Sequence, residues 1–442
     1  MRKLLLTICI LATFLSLQAG AGAVYETGGV TKQILANGVT LLIHPEEGSR
    51  VAAIQVFIRT GAADETPANA GIGQLLAGSI LAGTTTHSNI KLARLVSGVG
   101  GNIHSIWQWN YLEVHAVTLP SFCEEAISLI ADSIKNSRLD SVAIEYSRSS
   151  ILKQIKEQEE DPFNKAYTAI RGALHNGGIY GRSYLGSPSA LQAISRNQIA
   201  DFYERNFSAD RIVISVVGDV DPASVERQVG ISFGSMPRFR THAQPTQPKY
   251  TPREISIEST TPASYVMVGY PAPGLDGPDY APMCVANVLL GGNKSSLLFT
   301  ELRERQGIGY QVGSLYPALR WASHLVAYVG LDAGRCTPQT VKSVKETILR
   351  KVEELRSGAF TDADLMRAKG YLIGRHALSH ERTRDRAFAL GWAEAIGLGY
   401  QSDFLYADRV RAVTREDVLR AAKKYLKDPS TITLLGRERT NN

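Results

Sequence analysis

Ile194-Ser-Arg-Asn-Gln-Ile199 and Val413-Thr-Arg-Glu-Asp-Val418 share one pattern at an offset of 219 residues. Each stands at the head of a short helical pattern, Asn197 to Asn206 in one case and Arg415 to Tyr425 in the other. A strand follows each helix, Arg211 to Val217 and Thr431 to Leu435, and the strand ends Val217-Gly218 and Leu435-Gly436 recur at an offset of 218. A period this long signals a duplicated α+β domain rather than a solenoid of short repeats.

The same order of signals fills both halves. The first opens with a hairpin around Asn37-Gly38 and a strand from Val51 to Arg59. Helical patterns follow at Ala68 to Leu81 and Asn89 to Ser97, then strands near Asn102 to Trp107 and Tyr111 to Leu119. Long amphipathic helices cover Pro120 to Asn136 and Ser141 to Glu159. The second half repeats the plan. A strand at Tyr265 to Tyr270 leads to helices at Ala281 to Leu290 and Ser295 to Arg305. Strands at Gly309 to Tyr316 and Ser323 to Leu331 then precede helices at Pro338 to Ser357 and Asp362 to His380. Pro237 to Pro252, with four prolines and no hydrophobic period, reads as a linker between domains at 24–236 and 253–442. Because helices come in consecutive runs, each sheet is expected to be mainly antiparallel and covered by helices on one face.

Composition sets the outer bounds. The 442 residues are 44% hydrophobic and 20% charged, with 39 Gly and 18 Pro, which excludes a disordered chain, a collagen-like repeat or a disulfide-stapled miniature. Arg2 and Lys3, the apolar run Leu4 to Leu17 and the small residues Ala21-Gly22-Ala23 form the pattern of a cleaved signal peptide over residues 1–23. Export to the periplasm or the medium is therefore expected, with no membrane span left after cleavage. The remaining cysteines, Cys123, Cys284 and Cys336, are odd in number and widely spaced, so neither a disulfide framework nor a zinc cluster is expected. The formal charge of +6 includes Arg2 and Lys3, and no basic run points to nucleic acid.

The stretch Gly71-Ile-Gly-Gln-Leu-Leu-Ala-Gly-Ser-Ile-Leu-Ala-Gly-Thr84 follows a strand and leads a set of ordered signatures. These are Gly100-Gly101-Asn102, Asp161-Pro162-Phe163, Tyr180-Gly181-Arg182 with Leu185-Gly186, and Val216-Val217-Gly218-Asp219. In the second half come Leu290-Gly291-Gly292 and Leu302-Arg303 through Gly309-Tyr310. In order and spacing the chain resembles the M16 (insulinase or pitrilysin) metallopeptidase family, above all its short members related to the mitochondrial processing peptidases. The resemblance implies two homologous α+β domains.

It also implies a zinc site that this chain lacks. The family helix reads close to G-x-x-H-x-x-E-H. Two imidazoles at i and i+4 hold zinc, and the carboxylate at i+3 is the general base for bound water. A third ligand, a Glu, comes from a later helix. The matching positions here are Gln74 and Gly78 for the imidazoles, Ala77 for the base and Gln154 for the third ligand. None of these four side chains is a competent zinc ligand or base, so no metal is expected in this chain. His376 and His380 are an i, i+4 pair, but their charged surroundings read as a surface or packing role rather than metal binding.

What the resemblance leaves in place is an Arg/Tyr couple. Arg303 and Tyr310 match residues that reach substrate near zinc, whereas by residue type alone they read first as a helix-end Arg and a strand Tyr. Asn102 lies on a strand resembling the one whose edge pairs with extended peptide. The resemblance thus implies a heterodimer in which a zinc-bearing paralogue with H-x-x-E-H supplies the metal and this chain supplies the peptide-orienting Arg and Tyr. The alternative is an inert binding or scaffold subunit of the same fold, and a self-sufficient peptidase with unusual ligands is a distant third.

Overall fold

The structure, a computed structural model, describes residues 24–98, 101–239 and 249–437. The signal-peptide pattern at 1–23, Gly100 and most of the expected linker lie outside the described residues. In the first half, β1 (Val24–Thr27), β2 (Val30–Ile34), β3 (Thr40–Pro45) and β4 (Ala52–Ile58) lead to α1 (Ile72–Ile80) and α2 (Asn89–Gly98). Then come β5 (Asn102–Trp107), β6 (Leu112–Thr118), α3 (Cys123–Asn136), α4 (Ser141–Glu160) and α5 (Pro162–Leu174). The half ends with α6 (Pro188–Ala193), α7 (Arg196–Asn206), β7 (Ile212–Gly218) and α8 (Pro222–Phe233).

The second half holds β8 (Glu254–Glu258), β9 (Ala263–Pro273), α9 (Tyr280–Asn287) and two π-helical turns, Val288–Gly292 and Phe299–Arg305. Next come β10 (Gln311–Leu315), β11 (Ala322–Asp332), α10 (Pro338–Ser357), α11 (Asp362–Leu378) and α12 (Thr383–Ala395). The last elements are α13 (Gln401–Phe404), α14 (Tyr406–Ala412), α15 (Arg415–Tyr425) and β12 (Ser430–Leu435).

Among the described residues the strands form two sheets. One is seven-stranded, in the order β1-β2-β3-β7-β4-β6-β5, and the other five-stranded, in the order β10-β11-β9-β12-β8. Reading β3-β7-β4-β6-β5 beside β8-β12-β9-β11-β10 gives the same order twice. In each sheet one pair is parallel, β3 with β7 and β8 with β12, and every other pairing is antiparallel. The sequence repeat is thus a repeat of topology.

One expectation is corrected. The sheets are covered on both faces, and the second cover is lent by the other half of the chain. Along β4 every residue is buried. Ile54, Val56 and Ile58 face the first half's own helices, where they meet Leu75, Leu76 and Ile130. Ala53 and Phe57 face the other way and pack with Ala387, Leu390 and Tyr400, on and just beyond α12 of the second half. The second sheet mirrors this, with Met267, Val326 and Ile432 packed against Ala166, Ile170 and Leu174 of α5. Fully burying a side chain of this size contributes about 1.5–3 kcal/mol, so these helices clasp the halves firmly. Two faces to bury also explain why β4 and β7 read as nearly continuous apolar runs, broken only by Gln55 and Ser215, instead of alternating.

Candidate functional site

The helix that carries the motif positions is α1. The Glu65 carboxylate receives N–H groups from Gly71, at 2.8 Å, and Gly73, at 3.0 Å, and so satisfies donors the helix start leaves open. Burial pushes the Glu65 carboxyl up to about 7, against the pull of those two bonds and of Arg182. Gln74 is half-buried and points its amide at the Trp107 carbonyl, 3.5 Å away. Ala77 is buried, and its carbonyl accepts the Ser105 hydroxyl at 2.5 Å. Gly78 faces α4. A Cβ at that position would overlap the Ser147 hydroxyl and stand 2.8 Å from the Ser147 Cβ, which no rotation of the hydroxyl relieves. Further along α4, Gln154 is exposed, while Ile144, Ser147, Ile151 and Ile155 form the buried stripe. The structure brings Gln74, Ala77 and Gly78 together on α1 but leaves Gln154 on the solvent side.

The Arg/Tyr couple lies in the second half. The helix expected from Ser295 starts later, after a turn at 293–296, and is wound as a π-turn over Phe299–Arg305. The Gln306 N–H bonds to the Glu301 carbonyl five residues back, at 3.1 Å. Gly307 and Gly309, at φ 64° and 80°, reverse the chain in a conformation that side chains with a Cβ resist. Arg303 is exposed and donates to the Gly309 carbonyl at 2.8 Å, which ties the helix end to the turn that presents Tyr310. Tyr310 is 43% exposed, and its backbone N–H bonds Gly330 of β11 at 3.0 Å. Its hydroxyl donates to the Tyr265 hydroxyl at 3.3 Å, and that hydroxyl in turn donates to Gln311 Oε1 at 2.7 Å. The ring of Phe163, from the Asp161-Pro162-Phe163 signature, lies edge-on to Tyr265 at 5.6 Å. The two halves therefore meet behind Tyr310.

Asn102 is exposed at the start of β5, which among the described residues is a sheet edge paired only with β6. Its outer side offers free backbone groups to an extended chain.

A family model described as insulinase (peptidase family M16) matches residues 40–185, and one described as the peptidase M16 inactive domain matches residues 193–372. This chain belongs to the M16 peptidase family. An uncharacterized zinc protease of Streptomyces coelicolor is 26% identical over 418 residues, covering 92% of this chain and 90% of the relative. The mitochondrial-processing peptidase subunit beta of Lentinula edodes is 25% identical over 408 residues, covering 89% and 87%. Among solved structures, a protease from Helicobacter pylori has the same fold, with a TM-score of 0.83 at 19% identity, covering 94% of this chain and 99% of that one. A structure described as the peptidase M16 inactive domain from Pseudomonas fluorescens gives 0.82 at 19% identity, covering 93% and 99%.

In this M16 chain the residues do not fit the family's zinc. Gly78 and Ala77 have no donor atoms in their side chains, and the space an imidazole at 78 needs is taken by Ser147. Ser147 is the residue that sequence reasoning misses here, because its part in closing the niche depends on the contact between α1 and α4. Among the described residues no helix is long and apolar enough to cross a membrane.

Proposed function

We infer that this chain is the exported subunit without the family's catalytic zinc site at the catalytic centre of a two-chain M16 peptidase. In that reading Arg303 and Tyr310 orient a peptide held at the zinc site of a paralogue carrying H-x-x-E-H. The observation that carries it is the contrast between the two halves. All four zinc and base positions are lost, and one is sterically closed, yet Arg303 and Tyr310 stay exposed and are aimed by a bonded turn. A guanidinium with five donors and a phenol with one suit peptide carbonyls and the charge that grows on the scissile oxygen. That a matched relative is named as a subunit supports pairing. The edge of β5 at Asn102 would help align the extended peptide.

A second reading is favoured by one detail. Arg303 and Tyr310 already have partners within the chain, as an inert scaffold subunit would have. Reconstitution separates the two. The mature chain is expected to cleave no peptide alone, with or without added zinc, and to raise peptide turnover when mixed with its zinc-bearing paralogue from the same cell. Association without any change in turnover would favour the scaffold.

A further inference from the structure

His376 and His380 stand one turn apart at the end of α11, and both rings turn toward Asp403 of α13. His376 Nε2 lies 3.1 Å from Asp403 Oδ1, and His380 Nε2 lies 2.8 Å from Oδ2. Among the described residues this is the group of three whose ligand atoms all fall within 4.8 Å of one another. A tetrahedral zinc with bonds of about 2.0–2.2 Å spaces its ligands by roughly 3.3 Å, so little movement separates this geometry from a bound ion.

The tautomer is set by the fold. His380 Nδ1 lies 2.7 Å from the His376 carbonyl oxygen, which can only accept, so Nδ1 carries the proton. Nε2 then faces the Asp403 carboxylate, with one positive charge between them: a proton in the ion pair, or a metal ion in its place. Metal-bound histidines are held in this way, with the far nitrogen donating to a carbonyl. His376 is fixed separately by stacking on Tyr406, with ring centroids 4.5 Å apart. The nearby Arg386, which donates to the His380 carbonyl, has its charge taken up by Glu46 at 2.5 and 2.6 Å. Position in the chain gives the cluster a purpose. His380 and Asp403 bracket α12, the helix that leaves the second half to cover the first half's sheet, and a clip across such an excursion limits how far it can open.

We propose that His376, His380 and Asp403 bind a zinc-class divalent cation that clips the two ends of the α12 excursion together. Two imidazoles and a carboxylate suit zinc, cobalt or nickel and leave a fourth position for water. The site is independent of the family's α1 niche and of the peptidase reading.

The test uses the mature full-length chain, made without a polyhistidine tag and stripped with chelator. Zinc chloride titrated by calorimetry is expected to bind at one equivalent per chain. Cobalt chloride is expected to give the visible bands of four-coordinate cobalt. His380→Ala and Asp403→Asn should each weaken zinc about a hundredfold or more, beyond the tenfold to hundredfold typical for loss of an outer-shell partner. Zinc should also slow proteolysis on either side of α12 in the native chain but not in the variants. Absence of cobalt bands in the unmodified protein, or zinc binding unchanged in both variants, would overturn the proposal and leave an ion pair only. The cobalt readout needs no variant, so a misfolded mutant does not blunt the test.

Discussion

A single methyl at residue 78 probes the closed niche. In Gly78→Ala the new Cβ has Ser147 Cβ 2.8 Å away, and α1 and α4 must part to admit it. Overpacking of this kind costs about 1–3 kcal/mol, set against a gain of about 1 kcal/mol from helix propensity. Denaturant unfolding is expected to show net destabilisation, relieved when Ser147→Gly is added. A purely propensity-driven gain in the single variant would show that the helices yield. Tyr310→Phe asks a different question. Tyr310 is 43% exposed and its hydroxyl bond is long at 3.3 Å, so stability should move by no more than about 0.5 kcal/mol. If the hydroxyl serves a growing oxyanion in the reconstituted pair, turnover should fall about a hundredfold, and likewise for Arg303→Ala. Unchanged turnover in both, with pairing intact, rejects the role. The loss of the ligands at 74 and 78 and of the base at 77 was legible because the motif has fixed spacing on one helix. Ser147 and Asp403 were not, because each acts through a contact between elements that no spacing rule joins.

Two helices with clear signals at their ends, α10 and α15, were legible to the residue. Thr337 caps α10 by accepting from the Thr340 N–H, Gly358 ends it at φ 86°, and Thr414 with Asp417 boxes the start of α15. The two exchanged helices, α5 and α12, were not singled out. Their apolar faces answer to a sheet in the other half of the chain, and nothing local names that partner. The fit is close enough to test. Gly391 of α12 lies against β4, where an added Cβ would stand 2.6 Å from the Phe57 ring. Gly269 of β9 receives α5 in the same way, 2.7 Å from Leu174. Gly391→Val should lift α12 from its sheet at a cost of about 1–3 kcal/mol. Limited proteolysis should then cut near 380 and 400 in the variant before the native chain is cut at all. Equal digestion would mean that α12 is not a principal clasp.

Across the whole molecule, the clasp formed by α5 contains a buried polar chain that ties acidity to the union of the halves. Tyr167 and His175 belong to the first half and His324 to β11 of the second. The Tyr167 hydroxyl lies 2.7 Å from His324 Nε2, and His324 Nδ1 lies 2.8 Å from His175 Nε2. All three groups are satisfied when both rings are neutral, since Tyr167 donates to His324 and His324 donates to His175. Burial, together with the positive charge of Arg171, holds His175 down at about 4, and burial, His175 and Arg171 hold His324 well below its ordinary value. The sign follows from linkage. Unfolded, both rings take protons near pH 6.5, whereas folded they resist, so the unfolded chain binds more protons at lower pH. The stability they contribute is present above about pH 6.5 and is lost as pH falls toward 4. Glu65, raised to about 7, and His380, raised by Asp403, run the opposite way, losing stability as pH rises, so the native profile alone mixes the signs. The comparison that isolates the pair is the melting temperature of the native chain minus that of His175→Gln, followed from pH 8 to pH 4. That difference is expected to shrink steadily below pH 6.5, because the variant has one fewer proton to take up on unfolding. A difference that stays constant across this range would show that His175 takes up its proton as readily in the folded protein as in the unfolded one, and that acid does not act on the join between the halves through this chain of bonds.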